Sequence, residues 1–248
     1  KKIEGEGSIG LISSKLTLQG PIVKDKTSFI VSGRRTYIDL LAQPFIRSIN
    51  NGNPAGYFFY DLNAKLNHKI SNNDRLFLSV YSGKDRFYMT DEFGDKDSDY
   101  STNSDVQYSD KTDFGLQWGN VTSSLRWNHL FSNKLFSNTT LTFSEYKFKT
   151  EFNNSFRQSY LNMVNQDSVE FAYYSGIKDY GAKIDFDFLP NPNHYVKFGV
   201  NYTYHSFFPG RIDFYERRFS IDSLQNQTLS ELDTTFNFSE KLYNHDTF

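Results

Sequence analysis

The segment Tyr57-Phe-Phe-Tyr-Asp-Leu-Asn-Ala-Lys-Leu-Asn-His-Lys-Ile70 alternates between two kinds of side chain. Its even positions contain no Asp, Glu, Lys or Arg; they are Phe58, Tyr60, Leu62, Ala64, Leu66, His68 and Ile70. The odd positions from 59 onward carry three charges and two amides; they are Phe59, Asp61, Asn63, Lys65, Asn67 and Lys69. Because successive side chains of a β-strand point to opposite sides, this period of two predicts a strand with one apolar and one polar face.

A short polar turn joins this strand to a second alternating segment, and the same hairpin pattern occurs four times along the chain. The eight predicted strands cover 8–20, 27–37, 57–70, 75–88, 114–130, 135–148, 177–188 and 194–208. The connections between the hairpins are much longer and are predicted as loops at 38–56, 89–113, 149–176 and 209–248. Short and long connections therefore alternate, so that all the long loops lie at one end of the sheet.

This asymmetry decides the predicted fold. Loops above about 15 residues are uncommon in compact domains, and a set of them at one end of an antiparallel sheet is typical of an outer-membrane barrel. Ten residues at about 3.3 Å each, tilted by about 40°, rise about 25 Å, which matches the apolar band of such a barrel. The sequence predicts an all-β fold, an antiparallel up-and-down transmembrane β-barrel, with about eight strands in residues 1–248.

Aromatic side chains crowd the ends of these strands, as expected for girdles at the two membrane interfaces. On the long-loop side they are Tyr57, Phe58, Tyr60, Tyr146, Phe148, Tyr202, Tyr204, Phe207 and Phe208. Beside the short turns they are Phe131, Phe136, Phe188 and Tyr195. The sequence therefore predicts two aromatic girdles, one at each interface.

Composition excludes several classes of protein. The 248 residues include 25 Phe and 17 Tyr, which favour strands, and no cysteine, which excludes disulfide scaffolds and Cys-ligated zinc. The formal net charge of −2 argues against nucleic acid as a partner, since phosphate binding needs clustered positive charge. No apolar run approaches the roughly 18 residues that a membrane helix needs.

A soluble β-sandwich is the alternative fold, because its strands also have one apolar face. In a sandwich, Leu62, Leu66, Ile184 and Phe198 would be buried between two sheets, whereas in a membrane barrel they would face outward. Charges such as Asp185, which oppose the apolar face along a whole strand, favour the barrel. The alternative function is that of an adhesin or carbohydrate-binding module, built on a sandwich or a small membrane barrel.

No catalytic constellation is found, so the chain is predicted not to be an enzyme and to need no cofactor. The nucleophile-elbow, Walker and dinucleotide-binding motifs do not occur. The five histidines are scattered, without the i, i+4 spacing of a zinc site. An acidic stretch, 91–113, is interpreted as a solvated loop, with calcium as the alternative, although Tyr100 and Val106 replace the glycine and glutamate of a calcium-binding loop.

Several stretches resemble the early barrel strands of a TonB-dependent outer-membrane receptor, of the SusC-like branch that includes relatives with a carboxypeptidase-like N-terminal domain. The order and spacing of these stretches carry the resemblance, which covers about Gly5 to Phe208. They are Gly7–Pro21 with Phe29–Tyr37, Tyr60–Asn67 with Asp74–Ser79, Trp118–Asn120 with Ser124–Asn128, and Lys134–Thr142.

The resemblance implies a complete barrel of 22 strands around a plug domain. Residues 1–248 would then form a partial barrel domain, about the first third of the barrel, without plug, TonB box or closing strands. It implies an outer-membrane importer of a siderophore, glycan, peptide or vitamin, driven by the TonB complex through the plug. Outer-membrane lipid and a SusD-like surface lipoprotein would be further partners. Polar residues would face the lumen and the substrate path; we expect these to be Asp61, Asn63, Lys65, Asp185 and Lys197.

Two local features add expectations. Arg34 and Arg35 have opposite parity, so one is expected to point into the lumen and the other toward lipid headgroups, unless both merely anchor the interface. Residues 37–47 place Ile38, Leu41 and Phe45 among polar side chains, which predicts a short amphipathic helix. We expect this helix to pack over the barrel mouth, with partner binding as the alternative.

Overall fold

The computed structural model describes residues 2–99, 104–160, 163–222, 224 and 226–237. They form one ten-stranded antiparallel sheet, in which each strand pairs with its neighbours in the sequence. The predicted all-β, antiparallel, up-and-down fold is confirmed. The elements are β1 (Glu4–Ile9), β2 (Ser13–Val23), β3 (Thr27–Thr36), α1 (Ile38–Ile49), β4 (Ala55–Lys69), β5 (Asp74–Asp99), β6 (Ser104–Ser132), β7 (Leu135–Tyr160), β8 (Met163–Asn191), β9 (His194–Ile221) and β10 (Gln227–Asn237).

The register of the sheet assigns every strand residue to one of two faces. Residues directly opposite each other in antiparallel strands point to the same side. On β4, Asp61 lies opposite Arg34 of β3 and Gly83 of β5. We follow these pairs across the sheet and name its two sides the Leu62 face and the Lys65 face. The short-turn end is the end with the turns 24–26, 71–73, 133–134 and 192–193, and the opposite end is the far end.

The strands are much longer than the sequence predicted. The segments predicted as loops at 89–113 and 149–176 belong almost entirely to paired strands, and 209–221 and 227–237 are also strand. Residues 238–248 lie outside the described part. Side chains still alternate between two faces in these segments. However, the apolar residues move from odd to even positions or the reverse, so a search for one continuous apolar face does not detect the strands. At the start, the predicted strand 8–20 is divided into β1 and β2, because the Gly10 amide donates to the Ser13 carbonyl (2.9 Å) in a tight turn.

The short turns are staggered along the strands. Each of the second, third and fourth short turns lies further along the strands than the turn of the preceding hairpin, by one, three and three residues. The offset between the first and the fourth turn is therefore seven residues across six strands. At about 3.3 Å per residue and 4.8 Å per strand, this is about 23 Å along the strands and 29 Å across them. The four turns share one plane if the strands tilt by about 39°, within the roughly 35–45° found in outer-membrane barrels.

Helix α1 connects β3 to β4 at the far end of the sheet. Its bounds, Ile38–Ile49, agree with the predicted helix at 37–47. The Gln43 side-chain amide donates to the Ala55 carbonyl (2.9 Å) and to the Tyr88 hydroxyl (3.0 Å), which ties the helix to β4 and β5. Leu40, Leu41 and Phe45 are exposed, so an apolar side of the helix is uncovered.

The sheet has no second layer in the described part of the chain, and no apolar side chain there is fully buried. Leu62 is 48% exposed and Phe198 is 54% exposed, while Leu66 and Ile184 are half-buried. The dry core that a β-sandwich requires at these four positions is therefore not formed. No helix among the described residues is long and apolar enough to cross a membrane.

Candidate functional site: two sheet faces that exchange polarity

Near the short-turn end, the Leu62 face carries no Asp, Glu, Lys or Arg over a continuous region of β4–β9. We name this region the apolar band; it consists of the Leu62-face residues within 62–66, 76–82, 121–127, 135–143, 180–188 and 196–204. On β8 it is nine residues long, which is about 30 Å along the strand and about 23 Å in height at the tilt derived above. This height is close to the apolar band of an outer-membrane barrel, about 25 Å.

The Lys65 face is polar over the same region. All five residues predicted to line a substrate path lie on it; they are Asp61, Asn63, Lys65, Asp185 and Lys197. The Asn63 side-chain amide donates to Asp61 (3.4 Å). The β4 residues and the β8–β9 residues are not brought together, because β4 and β8 are four strands apart, about 19 Å. The five residues therefore form two separate groups on one face.

Ion pairs neutralise much of this polar face. The Arg34 guanidinium lies 2.7 Å from the Asp61 carboxylate and 4.8 Å from the centre of the Phe59 ring. On β8 and β9, Lys183 pairs with Asp185 (3.0 Å) and Lys197 with Asp187 (3.4 Å). Arg35 points to the other face and lies over Phe58 at 5.1 Å, so the two arginines diverge as expected.

Toward the far end the two faces exchange character. On β7, the Leu62 face is apolar at Leu141 and Phe143. Further along the strand the same face is charged, at Glu145, Lys147, Lys149 and Glu151. The Lys65 face changes on the same strand from Asn138, Thr140, Thr142 and Ser144 to the aromatic positions Tyr146, Phe148, Phe152 and Phe156. The neighbouring strands β5, β6 and β8 make the same exchange, so it is a property of the sheet rather than of one strand.

The aromatic part of the Lys65 face includes a row of four directly opposed phenylalanines. This phenylalanine row consists of Phe114, Phe152, Phe171 and Phe214, one from each of β6–β9. Edge-on ring pairs flank the row, with Phe87 to Phe114 at 6.3 Å and Phe148 to Tyr173 at 6.4 Å between ring centres. These rings form an apolar surface against which a ligand can pack.

Tyr57 and Trp118 lie at the border between the polar and aromatic parts of the Lys65 face. Their rings stack with centres 6.2 Å apart, and the Tyr57 hydroxyl donates a short hydrogen bond to the Asp85 carboxylate. That hydrogen bond, together with partial burial and the charge of Asp85, raises the pKa of Tyr57 to about 12. Tyr57 therefore keeps this hydrogen bond at physiological pH, and the bond fixes the position of its ring.

The charged part of the Leu62 face begins directly above the apolar band. The Glu145 carboxylate pairs with Lys147 (3.1 Å) and with Lys178 (3.2 Å). Burial would raise the pKa of Glu145, but hydrogen bonds from the two lysines outweigh burial and lower it. Arg211 pairs with Asp213 (2.9 Å) and lies 4.7 Å from the ring centre of Tyr174.

The exchange of faces also corrects the predicted aromatic girdles. Of the residues assigned to them, Tyr57, Tyr146, Phe148 and Phe207 lie on the Lys65 face, as do Phe136 and Tyr195. Phe58, Tyr60, Tyr202, Tyr204 and Phe208 lie on the Leu62 face, as a girdle that contacts lipid requires. The signal for this division was present in the sequence, since the parity of the aromatic residues changes between Phe143 and Tyr146.

The histidines and carboxylates do not converge on a metal-binding group of three or more in the described part of the chain. The acidic stretch 91–113 is not a loop at the backbone level, because it belongs to β5 and β6 apart from residues 100–103, which lie outside the described residues. The side chains at 95–105, where the calcium alternative was placed, also lie outside them.

Neither a protein-family model nor a curated protein sequence matches this chain. Among solved structures it is similar to a Pseudomonas aeruginosa FadL homologue, with 10% identity over 90% of this chain and 75% of the other, at a TM-score of 0.20. It is also similar to the siderophore receptor PirA from Acinetobacter baumannii, with 8% identity over 94% of this chain, at a TM-score of 0.24. A third similar structure is a bacterial polysaccharide outer membrane secretin, with 9% identity over 92% of this chain and 90% of the other, at a TM-score of 0.17.

These structural neighbours include outer-membrane proteins, one of which is a siderophore receptor, and all the likenesses are weak. The chain spans 57% of the length of the siderophore receptor.

Proposed function

We propose that this chain is part of the wall of a TonB-dependent outer-membrane receptor that imports a scarce nutrient: a siderophore, glycan, peptide or vitamin. The observation that carries the proposal is the exchange of polarity between the two faces. Over a height of about 23 Å the Leu62 face has no charged side chain, and directly beyond it the same face becomes charged. A wall that passes from hydrocarbon into water requires this change.

The alternative of a soluble sheet gives no reason for the exchange. A sheet that covers a protein core keeps its apolar side chains on the same face along the whole strand. Here that face becomes charged, while the opposite face becomes aromatic at the same level. The strand tilt of about 39° that aligns the short turns independently supports a barrel wall.

In this proposal the Lys65 face lines the bore. Its ion pairs, such as Arg34 with Asp61 and Lys183 with Asp185, keep the wall hydrated and nearly neutral. A polar nutrient or the plug can then contact the wall through hydrogen bonds without meeting a fixed unpaired charge. The phenylalanine row lies beyond this region, on the extracellular side, where it offers an apolar surface to the incoming nutrient.

Energy coupling and the outer partners come from the resemblance to TonB-dependent receptors. The TonB complex acts on a plug inside the barrel, and a surface lipoprotein covers the mouth. The described residues carry neither feature, so the wall alone supports a receptor or a passive channel equally on geometric grounds. Dependence on TonB is therefore the property to test.

The test uses the bacterium that produces the protein. Deleting the gene is expected to abolish growth on one nutrient class when that class is limiting, among iron–siderophore complexes, glycans, peptides and vitamins. A strain with the gene intact but without functional TonB is expected to show the same defect. Uptake that depends on the gene but continues without TonB would overturn the proposal in favour of a passive channel.

A further inference from the structure

A shallow groove of about 770 Å³ crosses the Leu62 face directly above the apolar band. Three successive Leu62-face positions on each of β6, β7 and β8 line it, centred on Gly119, Lys147 and Gly176. These three residues are directly opposite one another, and the row continues to Lys84 on one side and Phe208 on the other. The groove is therefore a gap in the wall where two side chains are missing.

Close backbone contacts fix the two glycines. A Cβ atom at Gly176 would lie 2.6 Å from the Tyr146 carbonyl oxygen, and one at Gly119 would lie 2.9 Å from the Gly83 carbonyl oxygen. Neither neighbour is a flexible side chain that could move aside. The gap is thus built into the backbone of the sheet, next to a register shift between Tyr174 and Gly176.

Cations surround the groove in excess. Its lining contains the side chains of Lys84, Lys147, Lys149, Lys178 and Arg211, which we name the cationic patch. Lys147 and Lys178 share the single carboxylate of Glu145, and Lys84 has no ion pair among the described residues. The side chains of Lys147 and Lys178 are 73% and 51% exposed, so both ammonium groups can reach an external anion.

The position of the groove suggests the chemistry of its ligand. Val121 and the apolar band lie immediately on its short-turn side, and the aromatic rings of Tyr60 and Phe208 lie at its ends. A ligand held there would place an anionic group among ammonium groups and apolar chains along the band. Lipids have this form, and lysines near a membrane surface attract anionic headgroups.

We propose that this groove binds the phosphorylated headgroup of an outer-leaflet glycolipid, with its acyl chains lying along the apolar band. The proposal rests on the membrane placement given under the proposed function. Lys84, Lys147 and Lys178 donate hydrogen bonds to the phosphate, and Lys149 and Arg211, which are ion-paired with Glu151 and Asp213, border the sugar. Glu145 competes with the phosphate for two of the three lysines.

The first experiment measures binding of diphosphoryl lipid A and of the dephosphorylated lipid by native mass spectrometry of the detergent-solubilised protein. The site variant is Lys84→Gln/Lys147→Gln/Lys178→Gln. The matched control is Lys111→Gln/Arg157→Gln/Arg217→Gln, which removes the same charge from the same face further toward the far end. Each lysine that is lost should weaken binding roughly fivefold, so we expect the site variant to bind the phosphorylated lipid about a hundredfold more weakly than the wild-type protein.

The control triple variant and wild-type protein are expected to bind the phosphorylated lipid equally and to prefer it over the dephosphorylated lipid. Equal losses in both triple variants would overturn the proposal, because attraction would then depend on total charge rather than on the groove. Equal binding of the two lipids by the wild-type protein would overturn it as well.

A second variant gives a result in the opposite direction. Glu145→Gln removes the competing carboxylate, so we expect the phosphorylated lipid to bind about fivefold more tightly. No gain, or a loss, would contradict the assigned role of Glu145. Flotation with phosphatidylcholine vesicles is measured in parallel: protein that fails to float contradicts the membrane placement itself, whereas protein that floats but ignores the phosphate contradicts only the groove.

Discussion

Replacing Leu125 by lysine places a charge in the middle of the apolar band. Leu125 belongs to a row of directly opposed Leu62-face residues, Leu66, Leu78, Leu125, Leu141 and Ala182. No Asp, Glu, Lys or Arg lies in the rows on either side of it on these strands. A lysine on the lipid face costs about 2–4 kcal/mol at the mid-plane of the bilayer and about 0–1 kcal/mol near its surfaces. We therefore expect Leu125→Lys to lower the free energy of unfolding by about 3 kcal/mol.

Two lysine substitutions on the same strand serve as controls. Ser124→Lys lies at the same depth on the Lys65 face, and Gln117→Lys lies on the Leu62 face above the band. Both are expected to change stability by less than about 1 kcal/mol, because each charge remains in water. The assay is denaturant unfolding of the protein in phospholipid vesicles, followed by the fluorescence of Trp118 and Trp127, the two tryptophans of the chain.

The pattern across the three variants is what tests the reasoning. A value for Leu125→Lys equal to that of Ser124→Lys would show that the two faces meet the same environment. A large loss for Gln117→Lys would show that the apolar environment extends beyond the proposed border. Either result would refute the assignment of the Leu62 face to lipid.

Three further predictions follow from single contacts. Phe152→Ala, in the phenylalanine row, should raise the half-saturating nutrient concentration for uptake up to about tenfold, because it removes an apolar contact surface. Asn153→Ala, on the opposite face, should leave that concentration unchanged. Equal effects of the two substitutions would contradict a ligand role for the row. Asp61→Asn removes the 2.7 Å ion pair with the exposed Arg34, so the free energy of unfolding should fall by less than about 1 kcal/mol. Uptake should shift toward more anionic nutrients. An unchanged charge preference would place Asp61 outside the substrate path. The hydrogen bond from the neutral Tyr57 hydroxyl to the Asp85 carboxylate contributes its full stabilisation just below pH 10, and this stabilisation is lost as the pH rises through the raised pKa of about 12. In a Trp127→Phe background, quenching of Trp118 by the ionised ring should report this midpoint, and Asp85→Asn should lower it.

The hairpins near the short-turn end were predictable because one signal controlled them. Residues 60–70 keep every apolar side chain on even positions, and the turn at 71–73 fixes the register with β5. The membrane environment reinforces the pattern, since a charge on the wrong face is costly there. The same alternation predicted that one polar face carries Asp61, Asn63, Lys65, Asp185 and Lys197.

The far half of the sheet was not predicted because the pattern was followed on one face only. After Phe143 the apolar residues move from odd to even positions, so 149–176 loses alternation on the face that had been apolar. The strand itself continues, and the environment changes instead. Following each parity separately would have shown both the longer strands and the division of the aromatic residues.

Contacts between distant segments could not be predicted from the sequence, for a different reason. The Arg34–Asp61 ion pair depends on the register of β3 against β4, which are connected through helix α1 and not through a tight turn. The cationic patch brings together residues from β5 to β9, and its groove depends on Gly119 and Gly176 being directly opposite Lys147. Sequence spacing alone does not determine these registers.

The central claim is that the Leu62 face meets lipid up to the border at which it becomes charged. Because the chain has no cysteine, one fluorophore can be attached to Leu78→Cys, Ser79→Cys or Lys147→Cys in vesicle-inserted protein. We predict that nitroxide groups on the lipid acyl chains quench the label at position 78 alone, and that aqueous iodide quenches it at 79 and 147. Equal iodide quenching at 78 and 79 would contradict the claim.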